Sequence, residues 1–120
     1  MNNFFSQTIT VEANQTAEFL GSGNLPVFST PAMIALMENT AIKCLSDLPE
    51  GNTSVGTSIS VNHLKASPIG ATIRCTATIT ATEGRKYTFH VSATDEAENL
   101  IGEGTHDRMV VNLEKFMSKI

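Results

Sequence analysis

One carboxylate stands out in this chain. Between residues 30 and 48 the sequence reads T-P-A-M-I-A-L-M-E-N-T-A-I-K-C-L-S-D-L. At about 100° per residue, Met33, Ile34, Met37, Ala41, Cys44, Leu45 and Leu48 share one arc of a helix, and Asn39, Thr40, Lys43, Ser46 and Asp47 share the other. Glu38 is the only charge inside the apolar arc. A carboxylate there is either paired with a basic residue or held ready as a base or nucleophile. Thr30 stands where that helix should begin. Its hydroxyl suits an N-cap, and it sits at the dipole end that favours an oxyanion. His63 falls at the end of a strand on its inward parity. It is either a core histidine bonded to a backbone carbonyl or a group that orients Glu38 or moves a proton. His106 and Arg108 share a parity near another strand end, either as a surface pair or with Arg108 lining a site. His90 lies on an outward parity and reads as solvated surface. The three histidines share no ligand spacing, so no metal site is expected.

These residues need a helix and a sheet to hold them. Thr30 as cap and Pro31 at the first helical position start a helix over 30–48. Residues 5–11 read as a first strand and 16–20 as a short second piece, with loop chemistry over 21–26. The second half is strand after strand. Val55, Thr57, Ile59, Val61 and His63 form the inner set of one strand, with Gly56, Ser58, Ser60, Asn62 and Leu64 outward. Alternation of Ala71, Ile73, Cys75, Ala77, Ile79 and Ala81 with threonines and Arg74 gives a long half-buried strand. Glu83-Gly84-Arg85 fits a hairpin loop, Tyr87, Phe89, Val91 and Ala93 face inward next, and 100–111 is the last strand. Asn112 suits the cap of a short terminal helix. One apolar helix followed by an antiparallel meander predicts an α+β fold, a sheet wrapped round the helix, with the outer helix face meeting a second copy.

Length supports one domain over residues 1–120. A net charge of −4 argues against nucleic acid as the main partner. No apolar run reaches the roughly 20 residues of a membrane span. The first four residues lack a signal-peptide pattern, and two cysteines without CxxC spacing read as reduced buried thiols in a cytoplasmic protein.

Three stretches then resemble one family. They are V-F-S-T-P-A-M-I-A-L-M-E-N (27–39), S-V-G-T-S-I-S-V-N-H-L-K-A-S-P-I-G (54–70) and G-E-G-T-H-D-R-M-V-V-N-L-E-K-F (102–116). Together they are similar to the fluoroacetyl-CoA thioesterases, a family of hotdog-fold proteins. The resemblance implies hydrolysis of a small acyl-CoA to free acid and CoA, with no cofactor beyond the CoA of the substrate. It also implies a homodimer, or a higher assembly, with acyl-CoA sites at the subunit interface. The family's catalytic threonine, glutamate and histidine fall on Thr30, Glu38 and His63, its T-H-x-R arginine on Arg108, and its glycine before the histidine strand on Gly56. Arg108 then lines the site or contacts CoA phosphate. Fluoroacetyl-selective members carry aromatic lid residues upstream of the threonine, whereas residues 21–26 here contain none. A hotdog hydratase or dehydratase and a non-catalytic acyl-CoA binder share the fold and are the competing functions.

Overall fold

The computed structural model describes residues 3–120; Met1 and Asn2, where the reading of the leader begins, lie outside them. Five strands form one antiparallel sheet: β1 (Phe4–Thr10), β2 (Asn52–His63), β3 (Thr72–Glu83), β4 (Lys86–Asp95) and β5 (Leu100–Asn112). One long helix, α2 (Thr30–Cys44), packs across it, chiefly on β3, β1 and β4. A single helical turn, α1 (Ala17–Leu20), precedes it, and α3 (Leu113–Ser118) ends the chain. This is the expected hotdog arrangement. Ile73, Cys75, Ala77, Phe89, Val91 and Ala93 are fully buried under the helix as the alternation predicts, but Ala81, expected inward, is exposed beyond a register shift that follows Ile79. Gly102 lets α2 approach β5, since a side chain there would meet Met33. Both cysteines are buried and neither is in a disulfide. No helix among the described residues is long and apolar enough to cross a membrane.

The structure corrects four further expectations. First, the strands do not form one meander. Their order is β1-β3-β4-β5-β2, so β2 crosses to the far side of β5 and becomes an edge. The connection after β2 is tied to the segment before α2, where Phe28 N donates to Ser67 O (2.8 Å) and Val27 bridges Pro68. That tie carries the chain over the helix start instead of into a hairpin.

Second, α2 ends at Cys44, not Leu48, and its cap is Ser29. Ser29 is extended (φ −80°, ψ 153°), and its Oγ accepts from Ala32 N at 3.1 Å. Third, the buried arc of α2 is rotated toward β1. Thr40, assigned to the polar side, is fully buried because its hydroxyl donates to Leu36 O (2.7 Å) and accepts from Gln7 Nε2 (2.8 Å). Ile34 and Glu38 are therefore half-buried on one flank, with Ile42 exposed beside them. Fourth, residues 16–20 are a helical turn capped by Thr16, not an extended piece. Asn112 caps α3 as expected, accepting from Lys115 N at 2.9 Å.

Candidate active site

Because Ser29 caps α2, Thr30 is left with a free hydroxyl at the first helical position. Its Oγ1 is hydrogen-bonded to His63 Nδ1 at 2.8 Å. His63 is the last residue of β2 and is set edge-on to Phe28, with ring centroids 6.5 Å apart. Its Nε2 is buried and makes no hydrogen bond. Burial lowers the imidazole pKa below its ordinary 6.5, opposed by the Lys65 backbone, so His63 is neutral at pH 7. A cleft of about 290 Å³ opens beside this pair, walled by Ala17, Phe28, Leu64 and Lys65. A hydroxyl bonded to a neutral imidazole at the mouth of a cleft can hold a carbonyl and polarise it.

A second group lies further along the helix. A register shift between Gly56 and Ser58 marks a bulge at Thr57. The extra residue flips the strand's faces, so Gly56, expected outward, faces Glu38 on α2, and Ser54 faces Arg108. A methyl group on Gly56 would lie 3.1 Å from Glu38 Oε2, 3.2 Å from Arg108 Nη1 and 3.3 Å from His106 Cε1. Arg108 (4 % exposed) donates from Nε to Ser54 Oγ (2.8 Å) and from Nη2 to Ser54 O (3.0 Å). His106 (1 % exposed) sits 2.8 Å from Ser58 O through Nδ1. A carbonyl only accepts, so Nδ1 carries the proton and Nε2 accepts from Arg108 Nη1 at 3.1 Å. Phe89 stacks on the ring.

Burial pushes the His106 pKa down. The Arg108 charge adds to this, while the Ser58 carbonyl and the charges of Glu38 and Asp107 act the other way. Burial also lowers Arg108, opposed by Glu38. Glu38 makes no hydrogen bond or ion pair among the described residues, yet it faces a buried guanidinium.

The structure thus sorts the five candidates into two half-sites. Thr30 joins His63, and Glu38 joins Gly56 and Arg108. Eight helical residues, roughly 12 Å of axis, separate Thr30 from Glu38 within one chain. Arg108 is too buried and too fully engaged to meet a phosphate, and with His106 it is not a surface pair. Sequence reasoning passed over His106 as a site residue and Ser54 altogether. Their shared face with Arg108 was hidden by the bulge, which no residue type announces. His90 is exposed and pairs with Glu103 at 3.2 Å, as a surface histidine would.

The profile of the fluoroacetyl-CoA-specific thioesterase (FlK) family matches residues 11–114. A fluoroacetyl-CoA thioesterase from Streptantibioticus cattleyicolor is 42 % identical over 95 residues, covering 78 % of this chain and 68 % of that protein. A crystal structure of the fluoroacetyl-CoA thioesterase FlK superposes with a TM-score of 0.90 at 36 % identity, over 97 % of this chain and 90 % of that one. A thioesterase superfamily member from Thermus thermophilus superposes with a TM-score of 0.89 at 27 % identity, over 97 % and 86 %.

Proposed function

The chain belongs to the fluoroacetyl-CoA-specific thioesterase family and is an acyl-CoA thioesterase, and from that membership we propose a site shared between two subunits. The observation that carries this reading is the split between a Thr30–His63 pair and an unpaired Glu38 two turns away. β2 is a free sheet edge twelve residues long, flanked by half-covered Ile34 and exposed Ile42. Two such edges paired antiparallel about a two-fold axis near Ile59 and Ser60 set His63 of one chain across from Gly56 of the other. Thr30 and His63 of one subunit then meet Glu38 of the partner subunit.

In this arrangement the thioester carbonyl lies against the Thr30 hydroxyl at the start of α2, where the helix dipole favours the developing oxyanion. Glu38, which faces the Arg108 guanidinium, takes a proton from the attacking water. Collapse of the tetrahedral intermediate breaks the carbon–sulfur bond, and Glu38 returns the proton to the leaving thiolate. Water and a short acyl-CoA become free acid and CoA, and no cofactor enters. Two buried cysteines outside any disulfide support a reducing, cytoplasmic setting.

Release of thiol from a panel of short acyl-CoAs, followed with a thiol reagent, tests the reaction. Steady release supports hydrolysis. Binding or double-bond chemistry without thiol release would hand the site to the binder or hydratase reading.

A further inference from the structure

Of the chain's eight lysines and arginines, five give their side chains a partner. Lys43 donates to Gln7, Lys65 to Asp95 and Arg74 to Glu98; Lys86 faces Asp107; Arg108 is held by Ser54 and His106. The remaining three, Arg85, Lys115 and Lys119, make no side-chain hydrogen bond or ion pair among the described residues. All three line one cleft of about 210 Å³ between the β3–β4 turn and α3. Val111, Asn112 and Phe116 complete its wall, and no acidic residue lines it. Three like charges turned onto one concavity repel one another, and an anion seated there removes that cost. Their convergence is unexpected in a chain of net charge −4.

We propose that this cleft binds the phosphorylated nucleotide end of the CoA substrate, an inference that rests on the thioesterase reading above. Arg108 is engaged elsewhere, so the phosphates need other cations. Asn112 lies four residues beyond Arg108 on β5, about 13 Å along the strand, a gap suited to the pantetheine arm. Phe116, 36 % exposed, offers a ring on which a purine can stack.

Two variants on different elements test this, Lys115→Glu/Lys119→Glu on and after α3 and Arg85→Ala in the hairpin. Each is compared with wild type on a short acyl-CoA and on the same acyl group carried by pantetheine, which lacks the nucleotide. The expected result is a KM for acyl-CoA raised roughly tenfold or more, with kcat and the KM for acyl-pantetheine unchanged. No change for either substrate, or equal change for both, overturns the proposal. Calorimetric titration with adenosine 3′,5′-bisphosphate should show binding to wild type that the double variant loses. A wild type that cleaves acyl-CoA but does not bind the bisphosphate, or that binds inorganic phosphate as tightly, also overturns it. A wild type that binds the bisphosphate and cleaves neither thioester retires the thioesterase reading and leaves the nucleotide cleft standing.

Discussion

Gly56 stands directly against Glu38: a side-chain carbon there would lie 3.1 Å from the carboxylate oxygen, close enough that a neighbour must give by a few tenths of an ångström. The Gly56 backbone has no positive φ, so the position needs space rather than conformational freedom. Arg108 is pinned by Ser54 and His106, which leaves the flexible Glu38 side chain as the group that gives way. Gly56→Ala should therefore fold with little change in Tm and lose at least about tenfold in kcat, ~1.4 kcal/mol of barrier. Unchanged turnover would show that the placement of Glu38 is not critical.

Glu38→Gln should reduce kcat by about 10²–10⁴ with Tm nearly unchanged, because Glu38 has no bonded partner to lose. A mixed dimer then locates its action. Thr30→Ala chains combined with Glu38→Gln chains rebuild one intact site per heterodimer if the half-sites come from different subunits. Activity should partly return. Background activity in a confirmed heterodimer would place Thr30 and Glu38 in one chain.

Residues 21–26 are exposed and contain no aromatic side chain. That segment has no aromatic ring to close over a fluoromethyl group. The ratio of kcat/KM for fluoroacetyl-CoA over acetyl-CoA should lie within about tenfold, the scale of a small pocket difference. Discrimination of several orders of magnitude would mean that a different element supplies the selectivity.

Acid should weaken the fold in two steps. His63 and His106 have pKa values below the ordinary 6.5, so the unfolded chain binds more protons as pH falls through that value, and stability falls with it. Asp95 follows at lower pH. It accepts from Asn99 N (2.9 Å), Ala97 N (3.0 Å) and Lys65 Nζ (3.1 Å). These bonds, led by the Asn99 backbone, hold its pKa at about 2 against 3.8. Its contribution is complete above 3.8 and disappears as pH drops toward 2. Urea midpoints of Asp95→Ala should lie below wild type at pH 7 and converge with it near pH 2; a constant gap would refute the assignment.

Much of this was legible because side-chain period reports burial directly. The threonine–apolar alternation of β3 as far as Ile79 and the inward set Phe89, Val91 and Ala93 were readable, as was the cap at Asn112. What failed depended on contacts distant in sequence. The burial of Thr40 requires Gln7 on β1 as its partner, and the edge position of β2 depends on Ser67 meeting Phe28. Ser29 and Thr30 are both good caps, and only the fold decides that Ser29 serves the helix and Thr30 serves His63. For the site, residue types pointed to Thr30, Glu38 and His63. That they fall into two separate groups follows from the length of α2.

The bulge at Thr57 divides β2 into two reading frames. From Ile59 to His63 the odd residues face the helix; before Thr57 the even ones share that face, and Ser54 and Gly56 meet Arg108. Deleting Thr57 would merge the frames without removing any residue of the site. Gly56 would still pair with Arg108 and Ser58 with Asp107, now as adjacent residues of one regular strand, so Gly56 would keep its place against Glu38 and Ser54 its place against Arg108. The extra residue thus bends β2 without deciding which groups meet Glu38 and Arg108, and a one-residue deletion there would remove the bend and leave the residues of the site in register.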